Sequence, residues 1–185
     1  MRGAACLCLL LVACARATTG GQMQPDAQRI VDGAAPPIDA PATMSCTSSA
    51  TCQGAKALGS ISGDTGSGMV SANGFQSAWL RVRVTEDDSS VIGNDLSVTA
   101  TLTLPAGEQF DVLLYVNSGS DVVECTTSSG TATKTGNTEQ LRITWGEGSV
   151  ANGSDDSRDV SVEIRPTSTA CSPSSMWQLV VQGNT

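Results

Sequence analysis

The chain predicts an all-β protein, a jelly-roll-like antiparallel β-sandwich set behind an export signal and a disordered linker. Three observations carry this expectation. Apolar and polar residues alternate at period 2 in run after run, turn residues punctuate the runs at short intervals, and no long stretch has an apolar stripe at helical spacing. The composition agrees, with 23 Ser and 20 Thr among 185 residues and only 3% aromatics.

The elements follow in order. Residues 79–84 put Leu80, Val82 and Val84 on one face and Arg81 and Arg83 on the other. Residues 96–104 set Leu96, Val98, Ala100, Leu102 and Leu104 against Ser97, Thr99, Thr101 and Thr103. Residues 110–116 are apolar on both faces apart from Asp111, the pattern of a central sandwich strand. Leu141, Ile143 and Trp145 alternate with Arg142 and Thr144, and Val160, Val162 and Ile164 with Ser161, Glu163 and Arg165. Residues 176–181 supply a last strand. Turns are expected at Asn73-Gly74, Gly93-Asn94-Asp95, Pro105-Ala106-Gly107, Ser118-Gly119-Ser120 and Asn152-Gly153. Arg81 and Arg83 are expected to pair across the sheet with the face carrying Glu163 and Arg165. The sandwich occupies residues 44–185, enough for one core.

Ahead of it, Met1-Arg2-Gly3 is a basic leader to an apolar run at 4–13 too short to span about 30 Å of hydrocarbon. Leu11-Val12-Ala13-Cys14 resembles a bacterial lipobox, in which small residues fit the peptidase and the thiol receives diacylglycerol. That makes 1–13 a lipoprotein signal and Cys14 the acylated N-terminus, held on a membrane at about 0.8 kcal/mol per buried CH₂. By resemblance to enteric lipoproteins, Ala15 after Cys14 favours the outer membrane. Plain secretion is the alternative, with cleavage at Ala13-Cys14-Ala15 or Ala15-Arg16-Ala17. Residues 14–43 hold four of the seven prolines and no period, and are expected to be a disordered tether reaching on the order of 30 Å. Docking of Ile30-Val31 or Ile38 on the domain is the alternative there.

Seven cysteines are then accounted for. Cys6 and Cys8 leave with the signal and Cys14 takes lipid, so Cys46, Cys52, Cys125 and Cys171 remain, an even number in an oxidising compartment. Three pairings are open to them; the short Cys46–Cys52 separation and the strand ahead of Cys125 favour Cys46–Cys52 and Cys125–Cys171, the second closing a loop worth about 4 kcal/mol in the chain-entropy model. A zinc site is disfavoured, since there is no C-x-x-C pair and no histidine.

The absence of histidine excludes Ser-His-Asp and Cys-His catalysis and His-ligated metals. A formal charge of −8, from 18 acids against 10 bases, argues against nucleic-acid binding. The acids cluster as Glu86, Asp87 and Asp88, and as Asp155, Asp156 and Asp159, with Asp95 between. A charge run is more often a solvated loop, but calcium takes six to eight oxygens, so converging sandwich loops of this kind are a candidate calcium site, with calcium as the only cofactor to consider and a calcium-dependent adhesin as an alternative function. Asp64-Thr65-Gly66-Ser67 matches an aspartic-peptidase string and defines a second alternative, a small hydrolase. That mechanism needs two such carboxylates, and this string occurs once. Trp79, Trp145, Trp177 and Tyr115 are candidates for a sugar- or peptide-binding platform, with Trp145 expected in the core because it falls on its strand's apolar face.

The segment Gln109-Phe110-Asp111-Val112-Leu113-Leu114-Tyr115-Val116 resembles the central strand of the bacterial pre-peptidase C-terminal (PPC) domain, and Met176-Trp177-Gln178-Leu179-Val180-Val181 resembles its final strand. With Leu58-Gly59-Ser60-Ile61-Ser62-Gly63-Asp64, the likeness extends to domains of secreted proteins in myxobacteria-like bacteria. Where the family strand carries a second Asp, this chain has Val112 and Leu113. The resemblance implies a non-enzymatic accessory or binding module, probing a protein or polysaccharide partner from a monomeric domain at the cell envelope.

Overall fold

The computed structural model describes residues 44–87, 89, 93–146 and 153–185. The signal, Cys14, the tether, Asp88, Val91-Ile92 and Asn152 lie outside the described residues. Eleven strands are formed and no helix among the described residues. One sheet has the order β3 (Met69–Gly74), β11 (Trp177–Gly183), β5 (Leu96–Thr103), β8 (Thr138–Trp145), β7 (Thr133–Thr135). The other runs β2 (Lys56–Ser62), β4 (Ala78–Thr85), β9 (Arg158–Pro166), β6 (Phe110–Tyr115). A short ribbon pairs β1 (Met44–Ser45) with β10 (Ala170–Cys171).

The alternation does what period 2 dictates. Leu80, Val82 and Val84 from β4, Val160, Val162 and Ile164 from β9, and Phe110, Val112 and Leu114 from β6 meet Leu96, Val98, Ala100 and Leu102 from β5 across one closed interior. Leu141, Ile143 and Trp145 of β8 and Trp177, Leu179 and Val181 of β11 complete it. Each such side chain contributes roughly 1.5–3 kcal/mol by leaving water. The six strands read from the alternation are all present, so the all-β sandwich holds.

Several expectations are corrected. The sheets are not antiparallel throughout, because β2 pairs β4 in parallel. Asn73-Gly74 is not a turn but the end of β3; the chain reverses one step later, at 75–77. Gly74 is required there because a Cβ would collide with the Trp177 indole. β6 is an edge strand, not a central one. Its free edge is covered: Val112 N–H donates to the buried Glu139 carboxylate at 2.7 Å, and Ser129 N–H donates to Leu114 O at 2.7 Å. β4 and β9 are neighbours, but their register sets Arg83 opposite Asp159, Arg81 opposite Ser161 and Trp79 opposite Glu163.

The four cysteines do form two bridges, with pairings other than the spacing suggested: Cys46–Cys171 and Cys52–Cys125. The reason is that residues 46–52 do not curl back on themselves. Cys46 sits at the β1–β10 ribbon, whereas six residues on Cys52 lies over the outer face of the four-stranded sheet, its Sγ 3.6 Å from the fully buried Ser161 Oγ. The bridges therefore span 125 and 73 residues, loops worth about 4–5 kcal/mol each in the chain-entropy model.

Candidate functional site

Polar side chains gather at three places. The first is the end of the sandwich where β4 leaves and β9 begins. Arg158 points inward at the tip of β9 and is buried; its guanidinium reaches Asp156 at 2.8 Å and the Ser157 carbonyl at 2.9 Å. Trp145 Nε1–H donates to the Asp156 carbonyl at 2.8 Å, and Asp156 N–H donates to the Glu86 carboxylate at 2.6 Å. Glu86 N–H in turn donates to Ser157 Oγ at 2.9 Å.

The other acids nearby are held in the same way. Ser157 donates from side chain and backbone to Asp155, holding that carboxyl below the usual range, and Ser89 does the same for Asp87. Asp159 lies 3.9 Å from Arg83, which makes a closer pair with Asp121 at 2.6 Å. Asp95 is exposed. So the structure brings Glu86 beside residues 155–157 but through backbone donors, and among the described residues no group of three or more acidic, Cys or His side chains is arranged to hold a metal ion. Asp88 falls outside the described residues.

Asp64 belongs to the same end. Its oxygens accept from the Ser62 hydroxyl at 2.9 Å and from Asp87 N–H at 3.1 Å. Gly66 follows at φ +68°, and its carbonyl accepts from the Asn184 amide at 2.9 Å. The Asp-Thr-Gly string is thus a turn that stops β2 and ties down the last strand.

The second place is the outer face of the four-stranded sheet. Tyr115 is buried; its hydroxyl donates to Glu163 at 2.6 Å and accepts from Arg165 at 3.0 Å. Burial first, and the Glu163 carboxylate second, push this phenol up to about 12. The Cys52–Cys125 bridge caps the face, with Arg81 donating to the Cys52 carbonyl at 2.6 Å. Beside it, Glu124 accepts from Thr126, Thr127 and Cys125, which draws its carboxyl down to about 2.

The third place is a groove of about 290 Å³ between the 75–77 turn and residues 50–54, walled by Phe75 and Trp79 and floored by Trp177. Its frame is fixed. Trp177 Nε1–H donates to Gln76 O at 2.9 Å, Ser77 N–H to Cys46 O at 2.6 Å, and Ser48 N–H to Ser77 Oγ at 2.7 Å. The wall at 50–54 is pinned at its middle by the bridged Cys52. Of the four aromatics considered from sequence, Trp145 and Trp177 are core residues and Tyr115 is covered. Trp79 alone is half-buried at the groove, its ring centroid 5.2 Å from that of Tyr115. Sequence reading missed Lys56, Asn73 and Phe75; the signal present was the weak Val70, Ala72, Gly74 alternation, obscured by the apparent turn at Asn73-Gly74.

A two-sheet sandwich with bridged flanking segments and a groove beside Trp79 is the class of molecule these observations define. No family model matches the chain, and no curated protein matches it. Among solved structures it is similar to the pre-peptidase C-terminal domain of a collagenase from Bacillus anthracis, with a TM-score of 0.41 and 9% sequence identity over 69% of this chain and 95% of that one.

Proposed function

We propose that the protein is a non-enzymatic binding or accessory module, held at the cell envelope through acylated Cys14 and recognising a protein or polysaccharide outside the cytoplasm. The observation that carries this reading is the distribution of polar chemistry. Glu86, Asp156 and Asp64 accept from backbone amides or pair with Arg, while the groove beside Trp79 is preformed and bounded by aromatic rings. A hydrolase needs two carboxylates over a shared cavity, and Asp64 is engaged in its own turn. The extracytoplasmic setting is supported by the pairing of all four cysteines that follow Cys14.

Mass spectrometry of the protein extracted from membranes tests the anchor. The expected N-terminus is diacylglyceryl-modified Cys14, and Cys14→Ser is expected to leave the protein out of the membrane fraction. An unmodified N-terminus after Ala15 or Ala17 would overturn the anchored form.

A further inference from the structure

The groove beside Trp79 does not end at the turn. It meets a second depression of about 500 Å³ along β3 and β11, and the two share Lys56, Ala72 and Asn73 in their walls. In a chain with 18 acidic residues, neither wall contains an Asp or Glu, and Lys56 stands where the two depressions join. The Lys56 ammonium, the Asn73 amide and the Trp79 indole N–H make no hydrogen bond or ion pair among the described residues, whereas Arg83, Arg158 and Arg165 are each paired with a carboxylate.

From these observations we infer that the joined groove binds a linear, carboxylate-bearing glycan, a ligand class that rests on the binding-module reading above. The two joined depressions give room for more than one sugar ring along the β3 edge. The half-buried Trp79 face offers a flat apolar surface to the C–H face of a sugar ring, and its N–H, with Asn73, offers hydrogen bonds to ring hydroxyls. Lys56 meets a carboxylate without competition from a neighbouring acid. Glu163, opposite Trp79 in register, is already held by Arg165 and Tyr115. The site's walls are pinned before any ligand arrives, which lowers the ordering cost of binding.

The test uses the full-length chain in detergent, titrated with oligogalacturonate and with its fully methyl-esterified counterpart, which keeps the sugar backbone and removes the charge. The acidic oligomer is expected to bind at least about tenfold more tightly than the ester, the worth of one charge-assisted hydrogen bond. Lys56→Gln is expected to erase that difference, and Trp79→Leu to weaken both oligomers. Lys134→Gln, on the opposite edge strand β7, serves as the control and leaves binding unchanged. Melting midpoints of the variants separate lost binding from lost folding, with the exposed Lys56 least able to disturb the fold. Equal binding of acid and ester, or undiminished binding by Lys56→Gln, overturns the inference. So does the absence of binding to either oligomer by a folded chain. In that last case, retention of another envelope component by the wild-type chain leaves the binding-module reading standing, and its absence sinks both.

Discussion

The two ends of the sandwich handle polar groups in opposite ways. Around Arg158, a guanidinium, carboxylates, an indole N–H and several backbone amides engage one another, with the buried Arg158 Nε left over among the described residues. Around Trp79 the backbone is equally well fixed, but the side-chain donors Lys56 and Asn73 have no partner among the described residues. The acid-rich loops are a candidate calcium site in the sequence because they hold many carboxylates, although a charge run is more often a solvated loop. In the fold those carboxylates terminate strands and cap the open end of the core. A site is better sought where a rigid frame leaves its polar groups unmatched.

The contrast can be broken at either end, and the largest effect is expected where the groove's wall is anchored. Removing the Cys46–Cys171 bridge by a paired Ser substitution is expected to cost about 4–5 kcal/mol by the chain-entropy model, measured by denaturant unfolding, since it frees the segment that holds Ser77 and residues 50–54. Next comes the acidic end. Arg158→Ala leaves Asp156 without its cation and opens the end of the core beside Trp145, with an expected loss of about 3–5 kcal/mol. The same variant is expected to leave ligand binding at the distant groove unchanged, which the structural reading of this end requires.

A smaller effect is expected from Gly74→Ala. The new methyl group meets the Trp177 indole, and overpacking of this kind costs about 1–3 kcal/mol. Because Trp177 floors the groove, affinity should fall along with stability. The smallest effect concerns Tyr115, whose loss of hydrogen bonds in Tyr115→Phe costs about 1 kcal/mol near neutral pH. Its pH signature is more distinctive. The phenol rises from 10.0 to about 12 in the folded protein, so its contribution is complete below pH 10 and is lost as pH climbs toward 12. Unfolding followed from pH 9 to 12 should show that alkaline loss in the wild type and its absence in the Phe variant.

The parts of this fold legible in the sequence are those governed by burial on one face. β4, β5, β8 and β9 declare themselves because Leu80, Val98, Ile143 and Val162 and their period-2 neighbours must all reach the same interior. β2 and β3 do not, since as edge strands they bury few residues and draw on Gly, Ser, Ala and Asn. β6 was misplaced for a related reason: a buried carboxylate from β8 covers its edge, and no local pattern announces that Glu139 will reach Val112. Disulfide partners were equally hidden. Cys46 and Cys52 are close along the chain, but backbone pairing with β10 sends one to a strand end and packing on Ser161 sends the other across a sheet. The groove depends on all of these long-range placements at once, which is why Trp79 was legible as a candidate while Lys56 and Asn73 were not.

The central claim is that ligand recognition sits at the Trp79 groove and structural charge at the Arg158 end, and the three tryptophans make it directly measurable. Their indole N–H resonances report the groove wall, the groove floor and the acidic end separately, through Trp79, Trp177 and Trp145. A titration of the ¹⁵N-labelled full-length chain with oligogalacturonate is predicted to move the Trp79 indole and the amides of residues 73–79, leaving the Trp145 indole and the amides of 155–159 in place. Shifts confined to Trp145 and residues 155–159, with Trp79 unmoved, would contradict the account.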